Sequence, residues 1–183
     1  MRDAPPPITL TRVPMDDACA RHITRDGRIG EVCMVLRRPD GRIWCAAKTF
    51  YPNHISRLLT GGIHPHEAPA EALLREIAEE TSLKPLTITP GAEIHYDAVV
   101  PFVTHLYICT VEDHAPVVVD ESERIHHFDA LLPHECGTRA LQLNALPETF
   151  HPDIGTTWRA WGAFRAHSHR VVADWFAAQS YRT

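Results

Sequence analysis

From Arg57 to Pro85 the chain reads RLLTGGIHPHEAPAEALLREIAEETSLKP, and its second half predicts a helix that ends in a crowd of acids. Pro69 suits a first helical turn, and Ala70, Leu73, Leu74 and Ile77 make the expected apolar stripe. Glu76 stands three residues before Glu79 and four before Glu80, so the three carboxylates project from one broad face. Like charges at those spacings cost about 0.2–0.5 kcal/mol per pair, and an acid in the last turn opposes the helix dipole by about 0.3–1 kcal/mol. A solvated acidic face is the plain account, with Glu71 and Arg75 as a favourable i,i+4 pair. That pair does nothing for the other three acids. A divalent cation reverses the sign of the problem, because magnesium and manganese take clustered oxygen ligands. The preceding TGGIHPHE reads as a loop in which Gly61 and Gly62 let the backbone turn tightly and approach a ligand.

The rest of the chain surrounds this helix with strands. EVCMVLRR, the turn PDG and RIWCAAKTF form a hairpin, and apolar residues on both faces of its first strand predict cover on both sides. ITLTRVP, LTITPGAEIHYDAVV, FVTHLYICTV and RIHHFDAL read as further strands, GTRALQLNAL as a short helix and PETFHPDIGTT as a loop. MDDACARHITRDGRIG is ambiguous, and DAPPP is a stiff, poorly ordered lead-in. From Trp158 to Ala178, the residues Trp161, Phe164, Val171, Val172 and Trp175 recur at helical spacing and predict core or subunit packing. At 183 residues this is one sizeable mixed α/β domain with a short appendage.

Gly61, Glu67 and the run Arg75-Glu76-Ile77-Ala78-Glu79-Glu80-Thr81-Ser82-Leu83 resemble, in identity and spacing, the signature of the Nudix hydrolases, the MutT-like family. Ser82 departs from it, since the family has glycine there. Thr60 and His66 also stand where glycine is frequent. The resemblance implies an α/β/α sandwich around a mixed sheet, with a Nudix domain over residues 29–155. Residues 1–28 would be a lead-in carrying a strand, and residues 156–183 a helical extension packed on the domain or on a partner subunit. It implies Mg2+- or Mn2+-dependent cleavage of a nucleoside diphosphate linked to another group. Glu76, Glu79 and Arg75 would be catalytic. Glu76, Glu79 and Glu80 would bind metal, Glu67 would support the loop or a second metal, and the Gly61 main chain would offer one more oxygen. A homodimer is compatible with the family. The competing reading is a Nudix-like domain that binds a nucleotide or effector without cleaving it.

Several assignments stay open from sequence. The general base is either a glutamate of the signature or an acid of VVVDESERIHH, where Asp120, Glu121 and Glu123 are candidates against a plain solvated turn. Arg57, Lys48 and Arg37 could hold phosphates, and Trp44, Phe50, Tyr51, Tyr96 and Phe102 could stack on a base. His64-Pro65-His66 lacks a full ligand set and reads as a loop feature, while His126 and His127 alternate across a strand. A formal charge of −5 without a basic segment argues against nucleic acid, and the absence of a run of about 20 apolar residues argues against a bilayer span. Five cysteines with no Cys-x-x-Cys point to neither a disulfide framework nor a thiolate zinc site, which fits a reducing cytoplasm.

Overall fold

Val32 to Leu36 are all buried, because the strand they form runs through the middle of a seven-stranded sheet with helices on both faces. The computed structural model describes residues 8–180, so the DAPPP lead-in lies outside the described residues. In chain order the elements are β1 (Ile8–Pro14), α1 (Asp17–Ile23), β2 (Gly30–Arg37), β3 (Ile43–Lys48), β4 (Arg57–Gly62), α2 (Pro69–Thr81), β5 (Pro85–Asp97) and β6 (Phe102–Val111). They continue as β7 (Ile125–Leu131), α3 (Glu135–Asn144), β8 (Phe150–His151), β9 (Thr156–Thr157) and α4 (Trp158–Ser180). The sheet order is β1-β5-β6-β2-β4-β3-β7. It is mixed: β1–β5 and β2–β6 are parallel and the other pairs antiparallel.

One face packs Ala72, Leu73 and Ile77 of α2 over Val32, Met34, Leu36 and Leu59. The other packs Cys19 and Ala20 of α1, and Phe164, Val171, Val172 and Trp175 of α4, over Cys33, Val35, Ile94 and Leu106. A third cluster joins Tyr51 and Leu143 to Trp158 and Trp161. The arrangement is the expected α/β/α sandwich, and the apolar stripe of the last helix is core. All five cysteines are free and buried, and burial pushes the thiols of Cys19, Cys33, Cys109 and Cys136 up to about 12.

Four local readings are corrected. The ambiguous N-terminal segment contains α1, whose cap is the Asp16 carboxylate accepting from the Cys19 N–H at 2.9 Å. Within PETFHPDIGTT, β8 and β9 pair as a small hairpin. Thr60, Gly61 and Gly62 belong to β4 rather than to the loop. On α2 the apolar stripe is rotated: Ala70 and Leu74 are exposed, and Glu76 and Glu80 share the buried face with Leu73 and Ile77. Apolar spacing alone could not reveal that, because two of the buried positions are acids.

Ser82 caps α2 in the left-handed region, with φ 58°. A side chain there costs about 1–2 kcal/mol that glycine does not incur. Ser82→Gly should therefore raise unfolding stability by about 1 kcal/mol, read from urea denaturation, with activity unchanged. A neutral or destabilising result would mean that Ser82 is not strained.

Candidate active site

The site begins where β4 meets α2. A Cβ on Gly61 would overlap the Glu76 carboxylate, so the bare strand is what lets this acid reach the sheet. Behind it, Arg75 organises the acids. Its Nε and Nη2 donate to Glu67 Oε1 and Oε2 at 2.8 and 2.9 Å, and its Nη1 donates to Glu76 Oε1 at 2.8 Å and Glu79 Oε2 at 3.0 Å. Nη2 also reaches the Gly62 carbonyl at 2.8 Å, which ties helix to strand. Glu67 accepts a further bond from the His64 N–H at 2.9 Å. These contacts hold its carboxyl down at about 2, the Arg75 bonds being the main cause. The expected Glu71–Arg75 pair is absent: Glu71 reaches back to the Ala68 N–H at 3.0 Å instead.

Glu76 and Glu80 are 7% and 3% exposed, and burial raises both carboxyls. Arg75 offsets part of the rise at Glu76. Glu80 is pushed up to about 8, against the pull of Lys48 and Arg57 nearby. The loop after β6 supplies a third acid. Its Val117 and Asp120 N–H groups donate to the Thr81 and Glu79 carbonyls at 3.0 and 3.2 Å, satisfying carbonyls that a helix end leaves open. So anchored, the loop carries Glu123 to a hydrogen bond with Glu80 and to Lys48 Nζ at 2.8 Å. Burial works against ionisation of Glu123, but the bond and charge of Lys48 hold it below the usual range.

Glu76, Glu80 and Glu123 line a cleft together with Lys48, Arg57 and Arg28. Of the other sequence candidates, Glu67, Glu79 and Arg75 are not among the residues lining this cleft, and Asp120 and Glu121 are exposed outside it. Arg37 packs over Phe176 at 5.3 Å. Trp44 and Tyr96 are core residues, whereas Phe50, Tyr51 and Phe102 reach the cleft. His126 lies 5.3 Å from His127, ring centroid to centroid, and stacks on His54 at 4.6 Å, away from the cleft. Among the described residues, no group of three or more His, Cys, Asp or Glu side chains is placed to hold a metal ion. Arg75 and Lys48 engage several of the carboxylates.

Among the cleft residues that escaped the sequence reading, Glu31 and Arg165 form an ion pair. Arg165 of α4 donates through Nη1 to both oxygens of Glu31 at 2.8 Å, and the Thr104 hydroxyl adds a bond at 3.0 Å. The one signal for them was a lone acid opening an apolar strand.

The NUDIX domain profile matches residues 27–150. The chain belongs to the Nudix family. Among solved structures, the MutT NUDIX hydrolase of Burkholderia pseudomallei is 18% identical, covering 80% of this chain and 95% of its own, with a TM-score of 0.51. An Ap4A hydrolase of C. elegans is 17% identical over 76% of this chain and 98% of its own, at a TM-score of 0.49. The E. coli ORF135 protein is 24% identical over 76% and 91%, at 0.46. At these identities the likeness concerns the fold. Among curated proteins, none matches the chain.

The three departures from the Nudix signature now have local accounts. His66 and Ser82 both adopt positive φ, 69° and 58°, where glycine would be unstrained. Thr60 is different: its hydroxyl accepts a hydrogen bond from Arg57 Nη1 at 2.9 Å.

Proposed function

We propose that this Nudix protein is a metal-dependent pyrophosphohydrolase that cleaves a nucleoside diphosphate linked to another group. The observation that carries the reading is the pair of buried carboxylates, Glu76 and Glu80, held at a cleft also lined by cationic side chains. Burying acids is costly, and Glu80 has no cation bonded to it among the described residues, so a chain that buries both on one helix face has a use for them. The donor chemistry fits a hard divalent ion: Glu76 and Glu80 would hold Mg2+ or Mn2+. Glu79, which shares Arg75 Nη1 with Glu76, would be the further oxygen donor on the helix, and the Gly61 main chain one on the strand. When bound, such an ion neutralises diphosphate charge and lowers the pKa of a water.

The chain's own groups do the rest. Arg75 and Glu67 orient the acids, as the bonds among Glu67, Arg75 and Glu76 indicate. Lys48 and Arg57 face the diphosphate. Glu123, kept ionised by Lys48, accepts the proton of the attacking water as the bridging P–O bond breaks. Glu121 is not given that role, because it lies outside the cleft.

The test is product release from a panel of nucleoside diphosphate derivatives with Mg2+ or Mn2+, run beside Glu76→Gln. One substrate class should turn over, and the variant should lose at least about 100-fold in kcat/KM, beyond the 10–100-fold typical of residues that merely support a metal ligand. If no member is cleaved with either metal, the domain binds without catalysing.

A further inference from the structure

Arg57 differs from Arg75 and Arg165 in what holds it. Arg75 clamps Glu67 and Arg165 clamps Glu31, each with two bonds to one carboxylate. Arg57 is only 7% exposed, yet among the described residues it forms no ion pair. It is held by neutral acceptors instead: Nε donates to the Tyr51 hydroxyl at 2.9 Å, and Nη1 donates to the Leu58 carbonyl at 2.6 Å and to Thr60 Oγ1 at 2.9 Å. Glu80, the nearby acid whose ionisation it favours, is hydrogen-bonded to Glu123 rather than to Arg57. Three bonds fix the guanidinium plane and leave Nη2 without a protein partner among the described residues. A buried cation with a fixed fork and no carboxylate bonded to it is a prepared anion site.

The aromatic side chains at the cleft point the same way. Tyr51 packs on Trp161 at 4.8 Å and on Phe50 at 5.1 Å, centroid to centroid. Phe50 stacks on His151 at 5.7 Å and lies under the Arg124 guanidinium at 4.5 Å. Phe102 packs edge-on against Phe164 at 6.1 Å. These rings are engaged with the protein, so the recognisable part of a substrate is its charge.

We infer that Arg57, aimed by Tyr51 and Thr60, binds a phosphoryl oxygen of the substrate, so that the cleft selects its ligand by the phosphate chain and not by the base. This rests on the hydrolase reading. Thr60 is a positioning residue: it acts through Arg57, and only its hydroxyl matters.

Calorimetric titration with methylenediphosphonate and with adenosine 5′-(α,β-methylene)diphosphate, in EDTA and again in Mg2+, tests the inference. Adenosine should add less than about 5-fold in affinity, below what one base stacked on a ring supplies. Arg57→Gln should weaken both probes by about 10-fold or more, the loss of a charge-assisted bond. Thr60→Val should weaken them by about 3-fold or more while Thr60→Ser keeps wild-type affinity, with KM and not kcat following the same order. Melting curves check each variant; should Arg57→Gln fail to fold, the Thr60 pair decides, since it leaves Arg57 in place. Equal binding by Thr60→Val and Thr60→Ser, unchanged binding by a folded Arg57→Gln, or a large gain from adenosine overturns the inference. Arg57-dependent binding without turnover of any substrate would instead sink the hydrolase reading and leave the subsite standing.

Discussion

Glu80→Gln is expected to make the metal-free protein more stable at pH 8–9 while lowering turnover by at least about 100-fold, as loss of a direct metal ligand would. Burial moves the Glu80 carboxyl from 4.5 to about 8. Between those two values the folded chain holds a proton that the unfolded chain has released, so stability falls as pH rises across that window. Near pH 4 both states are protonated and the penalty is absent. Above pH 8 the buried charge costs on the order of 3–5 kcal/mol, at about 1.4 kcal/mol per unit of displacement. Glutamine never ionises, and its amide can donate to Glu123 where the protonated acid now does. Melting temperatures from pH 5 to 9 in EDTA should therefore converge at the acid end and diverge in favour of the variant at the alkaline end. Added Mg2+ or Mn2+ should reverse the order by stabilising the wild type alone. Proton and metal compete for the same carboxylate, so apparent metal affinity should rise up to about 10-fold per pH unit below pH 8. A variant less stable than wild type throughout would make Glu80 a structural acid.

Much of this site was legible because its residues are close in sequence. Pro69, the periodicity after it and the run from Arg75 to Glu80 located α2, and Gly61 and Glu67 fall within two turns of chain of it. The strands flanking it were legible from their alternation. What sequence could not supply was direction. Ala70 and Leu74 are apolar and face solvent, while Glu76 and Glu80 are acids and line the cleft, the reverse of what amphipathic spacing predicts. The expected i,i+4 pair of Arg75 with Glu71 does not form, because local helix geometry does not foresee a loop folding back to present Glu67. Glu123 was separated from the solvated Asp120 and Glu121 by the anchoring of its loop to the end of α2, a tertiary event. Arg165 and Glu31 lie 134 residues apart and carry no pattern that joins them.

That pair sets the second large effect, because it makes α4 part of the cleft wall. Glu31 is 6% exposed, and among the described residues Arg165 has no other carboxylate within ion-pair distance. Replacing one member leaves the other charge buried and alone, so Glu31→Gln and Arg165→Met should each lose about 3–5 kcal/mol of unfolding stability. The double variant should recover to within about 1–2 kcal/mol of wild type, since an uncharged pair of similar volume avoids the desolvation penalty that the ions must offset. Urea denaturation of the four proteins measures the coupling directly. Losses that simply add would mean that Arg165 is held by its packing over the Phe164 ring, 4.4 Å away, and that Glu31 contributes independently through Thr104. Strong coupling would mean that a single ion pair fastens the C-terminal helix to β2 beside the glycines of β4, so that loosening it disturbs the cleft that the acids of α2 also line.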